Sequence, residues 1–477
     1  MTATYKMRAS MVSAVLAGLA LRAFFVLKFP ATNSGDAPFY IALAWNWLKN
    51  GVFGFPVNGR LVPLDMRTPG YPAFLAAVFA FAGQSNRAVM LSQVVVDTAT
   101  CLLVAAIAAR LAPSSSRRRV ALAGLWLAAL CPFTANYSAV VLSETLAVFL
   151  TALATLVLLE TPLGRFSAQE VLPMAAERPF SPWLLAGVVC GFGALVRPET
   201  PLLLLAAGLV LVGTWWRPAA WPKLLRAGAL LAVGLVLPLI PWAARNYRTL
   251  HEVQFLAPRY SELPGEFAPL GFNAWTNTWL WRFRDVYLVP WKLDEEPIEL
   301  GDIPAGAFDT PGERARIANL LARYNTTLTL TPEMDRAFGE IARARTSRHP
   351  WRTHLEIPLL RSFALWFTPR IDLLPFSGRL WPPGAAWDDD RVDFSVTLML
   401  ALAGAAYVAL GFAGAWRARG QPGLALLVAF IVVRTAFFAF FVETPEPRYV
   451  LECFPALLAL AAQLWRGPRQ PSPAGSG

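Results

Sequence analysis

Charge is what this chain has least of. Only 15% of its 477 residues are Asp, Glu, Lys or Arg, against 56% hydrophobic, where a soluble globular chain carries about 25% charge. Cysteine and histidine are scarce too. The four cysteines, Cys101, Cys131, Cys190 and Cys453, all fall inside apolar segments. There a thiol serves as a small packing residue, which argues against a disulfide framework. The three histidines, His251, His349 and His354, show no ligand spacing with cysteine or with one another, so a zinc site is not expected. No cofactor is demanded by any motif, and nothing in the sequence supports a divalent metal. The formal net charge of +11 would suit nucleic acid, but no basic run interleaved with aromatics sits on a soluble stretch. The basic residues instead flank hydrophobic runs, where they set orientation in a membrane.

Those runs are what the chain has in abundance. Several windows of about 20 apolar residues are long enough to cross a bilayer, and mean hydropathy is +0.45. The reading is an α-helical polytopic membrane protein. The first run, "YKMRASMVSAVLAGLALRAFFVLKF", has the basic start of a signal peptide. Arg22 interrupts it and no small-x-small site follows, so it reads as an uncleaved span. Ten spans are placed at 9–29, 86–110, 119–136, 142–159, 182–196, 200–215, 227–244, 395–415, 422–441 and 449–465. "PGYPAFLAAVFAFAG" (69–83) is short and carries two prolines near its start, and reads as re-entrant or interfacial. With that choice the basic loops fall on one face: Lys6 and Arg8, Arg110 and Arg117 to Arg119, Arg217 with Lys223 and Arg226, Arg417 with Arg419, and Arg466 with Arg469. The positive-inside rule then makes that face, and both termini, cytoplasmic.

The organisation that follows is an N-terminal transmembrane module, 1–244, with a first outer loop at 30–85. An outer segment, 245–394, is too long for a plain loop and is expected to be partly folded. C-terminal spans occupy 395–466, and a Pro/Ser/Gly tail, 467–477, is expected to be disordered. Within the outer segment a helix is expected at 332–347. An amphipathic stretch, "HPWRTHLEIPLLRSFALWF" (349–367), is expected at the membrane surface.

Polar residues gather at one set of span ends. Asp36 follows the first span. Arg60, Asp65 and Arg67 lie in the first outer loop. Glu144 opens the fourth span, Arg197 and Glu199 separate spans five and six, Arg245 ends span seven, and Glu443, Glu446 and Arg448 lie between spans nine and ten. On this topology all face outward. Ionisable groups beside lipid are costly and often functional, and acids meeting arginines fit an anionic ligand, a proton transfer, or both. Each has a plainer alternative. Asp36 precedes Pro38 and suits a helix N-cap. Glu144 suits a cap or a structural ion pair, and Arg245 and Arg448 suit interface anchors. Arg22, Asp97 and Arg434, inside spans, read as groups that hold the bundle together.

In order along the chain, "GDAPFY", "MRTPGYP", "LSE", "RPE", "PWAARNY" and "EPRY" resemble the membrane glycosyltransferases of the GT-C type, in particular the protein-mannosyltransferase-like and aminoarabinose-transferase-like enzymes. The resemblance runs from the first span to the last and is thin over 250–340. It implies a GT-C-like bundle with interfacial helices in the first outer loop. It also implies transfer of a sugar, with inversion, from a polyprenyl-phosphate carrier to a lipid, glycan or protein acceptor at the outer face of the plasma membrane. Asp36 would be the catalytic base, with Glu144 helping to form the site. Arg67, Arg245 and Arg448 would bind the donor phosphate. Tyr40, Arg60, Tyr71, Arg197, Glu199 and Glu446 would line the substrate site. Many relatives carry Asp-Glu after the first span, whereas this chain has Ala37 in the second position. Two other readings stay open: a secondary transporter or lipid-linked sugar flippase, and a non-catalytic scaffold whose outer segment binds a partner.

Overall fold

The computed structural model describes residues 3–31, 35–57, 59–164, 181–214, 218–260 and 267–467. Arg217 and all of the expected tail, 467–477, except Gly467 lie outside them. The chain is a helical polytopic membrane protein. Its one sheet among the described residues is an antiparallel hairpin, Gly54–Val57 with Arg60–Pro63, in the register Gly54↔Pro63 to Val57↔Arg60.

Among the described residues five helices are long and apolar enough to span a bilayer: Tyr5–Lys28, Asn86–Arg110, Trp221–Leu250, Arg391–Arg417 and Leu424–Phe441. A sixth is reached if Arg117–Ala129 and Pro132–Ala139, bent by 51°, count together. Ten spans were expected, some of them only 15 to 18 residues long. The remaining expected positions are helical but short, at Glu144–Leu158, Pro182–Val196 and Leu202–Thr214. Proline accounts for much of this. Pro182 and Pro201 set helix starts, because a ring nitrogen cannot donate within a helix. At the expected last span Pro447 and Pro455 accompany a succession of 3₁₀ turn, the helix Phe454–Ala461 and a further 3₁₀ turn. The helix Gly70–Ala82 has 13 residues. That is about 20 Å of rise, short of a hydrocarbon core of about 30 Å.

The chain divides into two compact units. The first comprises Met1–Pro258, Ile371–Val433 and Leu451–Gly477; the second comprises Arg259–Arg370 and Arg434–Val450. Both boundaries near 259 and 370 fall within the outer segment expected at 245–394.

In the first unit Arg22 and Asp97 form a fully buried ion pair, Nε to Oδ2 at 2.7 Å. Arg22 also donates to the carbonyls of Gly18 and Ala129, at 3.0 and 3.1 Å. A buried charge is tolerable only when it is paired and hydrogen-bonded, and these contacts join Tyr5–Lys28, Asn86–Arg110 and Arg117–Ala129.

The second unit has its own core of Phe272, Trp275, Trp279, Ile317, Leu321 and Phe338. The helix expected at 332–347 is Pro332–Arg348, capped by the Thr331 hydroxyl, which accepts from Met334 N. Helix Pro311–Thr327 is capped in the same way by Thr310. Asp309 gathers Arg345, Arg348 and Arg352 within 3.1 Å. The helix Leu424–Phe441 begins in the first unit and ends in the second. There Arg434, expected to hold a bundle together, donates from Nε to the Tyr449 carbonyl at 2.7 Å.

Candidate active site

The two acids singled out in the sequence are brought together by backbone. After the first span Ala31 N donates to Ala139 O at 2.9 Å, and Ala31 bridges to Val140. The segment before Asp36 is thus bound to the segment before Glu144. Gly35, at φ +50°, turns the chain in a conformation open to glycine, and the helix Ala37–Asn50 starts immediately after. Asp36 occupies its N-cap position, but its side chain makes no capping hydrogen bond. Instead Oδ1 accepts from Arg67 Nη2 at 2.8 Å, with both side chains about one-third exposed. The carboxylate therefore faces the arginine of "MRTPGYP" and leaves the helix end uncapped by a side chain. Ala37, the residue that follows Asp36, is fully buried.

Arg67 is held in place by the residues that follow it. Gly70 packs so closely on the end of Pro182–Val196 that a Cβ would stand 2.6 Å from Leu195 O and 2.9 Å from a Val196 methyl. Only a residue without a side chain allows that approach. It sets the segment that follows Arg67 against the end of that helix, where Thr68 Oγ1 donates to Val196 O at 3.5 Å, one residue before Arg197.

Arg197 is the hub of a buried charge group. Its Nη1 donates to Glu144 Oε1 at 2.7 Å, and its Nε stands 3.8 Å from Glu199 Oε2 and 3.7 Å from Glu452 Oε1. Glu144, at the start of Glu144–Leu158, and Glu452 are each only 3% exposed, and Arg197 11%. Glu452 also accepts from Thr151 at 2.7 Å and from Thr200 at 3.5 Å. The sequence reading passed over Glu452, which it placed inside an apolar span. An acid within such a run is itself a signal of function or of structural pairing.

Tyr40 lies within electrostatic reach of both ion pairs. It is buried in the first turn of Ala37–Asn50 and packs edge-to-face on Tyr71, ring centroids 5.1 Å apart. Burial, with the Asp36 carboxylate next and the Glu144 carboxylate also adding, pushes its phenol up to about 12, against the opposing Arg67 and Arg197 charges. Tyr40 thus stays protonated at neutral pH, with all four charged groups acting on one hydroxyl. Tyr71 donates to Gln93 Oε1 at 2.8 Å, and Gln93 Nε2 donates to Val140 O at 2.6 Å. That bond pins the "MRTPGYP" helix to the strand-like segment ahead of Glu144. A further piece arrives from far along the chain: Tyr137 donates to Asp372 Oδ2 at 3.1 Å, and Leu373 and Leu374 pack on the core that holds Tyr40 and Tyr71.

The other candidates are used differently. Arg245 donates to Leu64 O at 3.0 Å and to Phe53 O at 2.8 Å, and lies over the Trp242 ring at 4.9 Å. It clamps the two ends of the 54–63 hairpin. Arg60 is exposed on that hairpin. Glu446 and Arg448 belong to the second unit, where Arg448 Nε donates to Glu446 Oε2 at 2.6 Å and Tyr449 donates to Glu446 Oε1 at 2.8 Å. Glu443 accepts there from Arg259 and Tyr260, each at 2.8 Å. Among the described residues no three His, Cys, Asp or Glu side chains are grouped to hold a metal ion.

No family model matches the chain, and no curated protein sequence does. Solved structures show a likeness of fold at low identity. An apo Archaeoglobus fulgidus oligosaccharyltransferase is 14% identical with a TM-score of 0.49, over 96% of this chain and 50% of that one. The archaeal oligosaccharyltransferase AglB from the same organism, solved with an inhibitory peptide and a dolichol-phosphate, is 12% identical with a TM-score of 0.48, again over 96% and 50%. ArnT from Cupriavidus metallidurans, bound to undecaprenyl phosphate, is 14% identical with a TM-score of 0.42, over 97% of this chain and 78% of that one. The chain spans about half the length of the oligosaccharyltransferases it matches.

Proposed function

We propose that this chain is a GT-C type glycosyltransferase that moves a sugar from a polyprenyl-phosphate donor to an acceptor hydroxyl at the outer face of the plasma membrane, with both of its own termini in the cytoplasm. One observation carries the reading. A partly exposed carboxylate, Asp36, pairs with a partly exposed arginine, Arg67, and the chain ahead of Asp36 is hydrogen-bonded to the chain that leads into the buried Glu144–Arg197 pair. Asp36 and Arg67 come from motifs whose order resembles that group.

The chemistry follows from the difference in burial. A half-exposed ion pair is worth only about 0–1 kcal/mol, so an arriving phosphate can take Arg67 from Asp36. The planar guanidinium grips two phosphate oxygens. Asp36, released, accepts the proton of the acceptor hydroxyl as its oxygen bonds to the anomeric carbon. The bond from that carbon to the phosphate oxygen breaks on the opposite side, inverting the centre, and the electron pair leaves on the carrier phosphate. Arg67 stabilises that charge most where it is greatest, in the transition state.

Glu144 serves this scheme by fixing Arg197, and Glu452 by fixing Arg197 from the other side. Tyr40 offers a protonated hydroxyl within electrostatic reach of both pairs. Arg245, committed to the hairpin, shapes the loop and leaves the phosphate to Arg67. The test is transfer from a panel of radiolabelled polyprenyl-phosphate sugars in membranes containing or lacking the protein. Label in an acceptor fraction only when the protein is present supports the reading. Gradient-driven uptake into proteoliposomes with no transfer overturns it in favour of a transporter.

A further inference from the structure

The second unit carries an apolar stripe that its own core leaves uncovered. Along the helical stretch 350–367, Trp351, Leu355, Leu359, Phe363 and Phe367 recur every four residues, and all are exposed, from 40% to 77%. The opposite side is buried through Ile357, Pro358, Arg361, Ala364 and Leu365. Spacing by four drifts about 40° per step around an α-helix. The π-helical turn at Arg352–Glu356 is wider, turns less per residue and takes back part of that drift. The stripe is thereby kept on one side.

Its occupant is indicated by two contacts inside the same unit. Arg361 Nη1 donates to Val442 O at 3.1 Å. Trp366 Nε1 donates to Thr435 Oγ1 at 3.0 Å. As the first helix advances from 361 to 366, its partner runs back from 442 to 435. The end of Ile357–Phe367 therefore runs antiparallel beside the last two turns of Leu424–Phe441, a helix apolar and long enough to span a bilayer. Seven residues of helix put Thr435 about 10 Å inward of Val442. The exposed Phe440 and Phe441 mark the outer end of the span, and Phe363 and Phe367, stacked with ring centroids 4.6 Å apart, run from near that end to the level of Thr435. Groups at that depth meet hydrocarbon.

We propose that residues 350–367 form a membrane-dipping helix whose stripe is covered by lipid acyl chains, entering deepest at Phe367 and emerging at Trp351 in the interface, where tryptophan is favoured. This goes beyond the surface-lying stretch expected from sequence, and does not depend on the transferase reading.

The test is single-cysteine spin labelling of the full chain in nanodiscs of neutral phospholipid. The native cysteines are all buried, so Leu359→Cys, Phe363→Cys and Phe367→Cys label selectively, with Glu356→Cys as the water-facing reference. Collisions with oxygen are expected to rise, and with a soluble nickel chelate to fall, in the order 359, 363, 367, by at least about tenfold in ratio against position 356. Equal chelate access at 363, 367 and 356 would overturn the proposal by placing the stripe in water. Exclusion of both reagents would overturn it by showing a protein cover. Leu355→Cys replaces any variant that does not purify as a single species, and is expected to be intermediate.

Discussion

Burial separates carboxylates that look alike in sequence. Asp36 and Asp97 both meet arginine at 2.7–2.8 Å, yet Asp97 is 2% exposed and Asp36 33%. Removing the carboxylate should act on different quantities at the two sites. Asp36→Asn keeps the shape and loses a pair worth about 0–1 kcal/mol. It should express, insert and melt like the parent while transfer falls about 10²–10⁴-fold, the usual contribution of a general base. Asp97→Ala leaves Arg22 buried and without its carboxylate, a change that costs about 3–5 kcal/mol. It should lower the temperature at which the detergent-solubilised protein loses its monodisperse peak, and any activity should fall only with the amount of folded protein. Near-normal turnover in the Asp36 variant would remove that residue as the base.

At the scale of elements, the start of the helix Gly70–Ala82 depends on one close approach. Alanine favours helix over glycine by about 1 kcal/mol, so Gly70→Ala should strengthen the element taken alone. Its Cβ would still stand 2.6 Å from a backbone carbonyl, and one side must move. The expected outcome is a helix that forms but docks poorly, shifting Arg67 out of its pairing with Asp36. Transfer should fall at least about tenfold, with the stability peak shifted far less than in Asp97→Ala. The charged cluster of the second unit makes a pH prediction. Burial alone would raise the Asp309 carboxyl, but hydrogen bonding from Arg352 and the charges of Arg345, Arg352 and Arg348 outweigh it and hold it below the usual carboxylate range. A depressed folded pKa means stability present above the unfolded value, about 4, and lost as pH falls through the folded one. Protease susceptibility of residues 267–370 should therefore rise steeply below about pH 4, and Asp309→Asn should flatten that rise.

Across the whole molecule, what could be read in advance was what period and composition record. The positions of the long apolar helices and of Pro332–Arg348 follow from runs, caps and prolines, all local signals. Their lengths were less legible, because Pro201 and Pro455 shorten helices that hydropathy alone extends. The partners of charged residues were hardly legible at all. Arg245 spends its donors on Leu64 and Phe53, and Glu452 closes on Arg197 and Thr151, through chain separations of 181 residues and more; nothing in a linear pattern encodes those pairings. The last prediction tests the assembled site as one body. A ligand that binds only the folded chain stabilises it by about 2.7 kcal/mol at a hundred times its Kd. An undecaprenyl phosphate without sugar should thus raise the melting temperature of the parent, and of Asp36→Asn, which keeps Arg67 and removes its competing carboxylate. Arg67→Ala should lose most of that gain while melting normally in the lipid's absence. Equal stabilisation of all three would show that the carrier phosphate is held elsewhere, and the division of labour between Asp36 and Arg67 would fall with it.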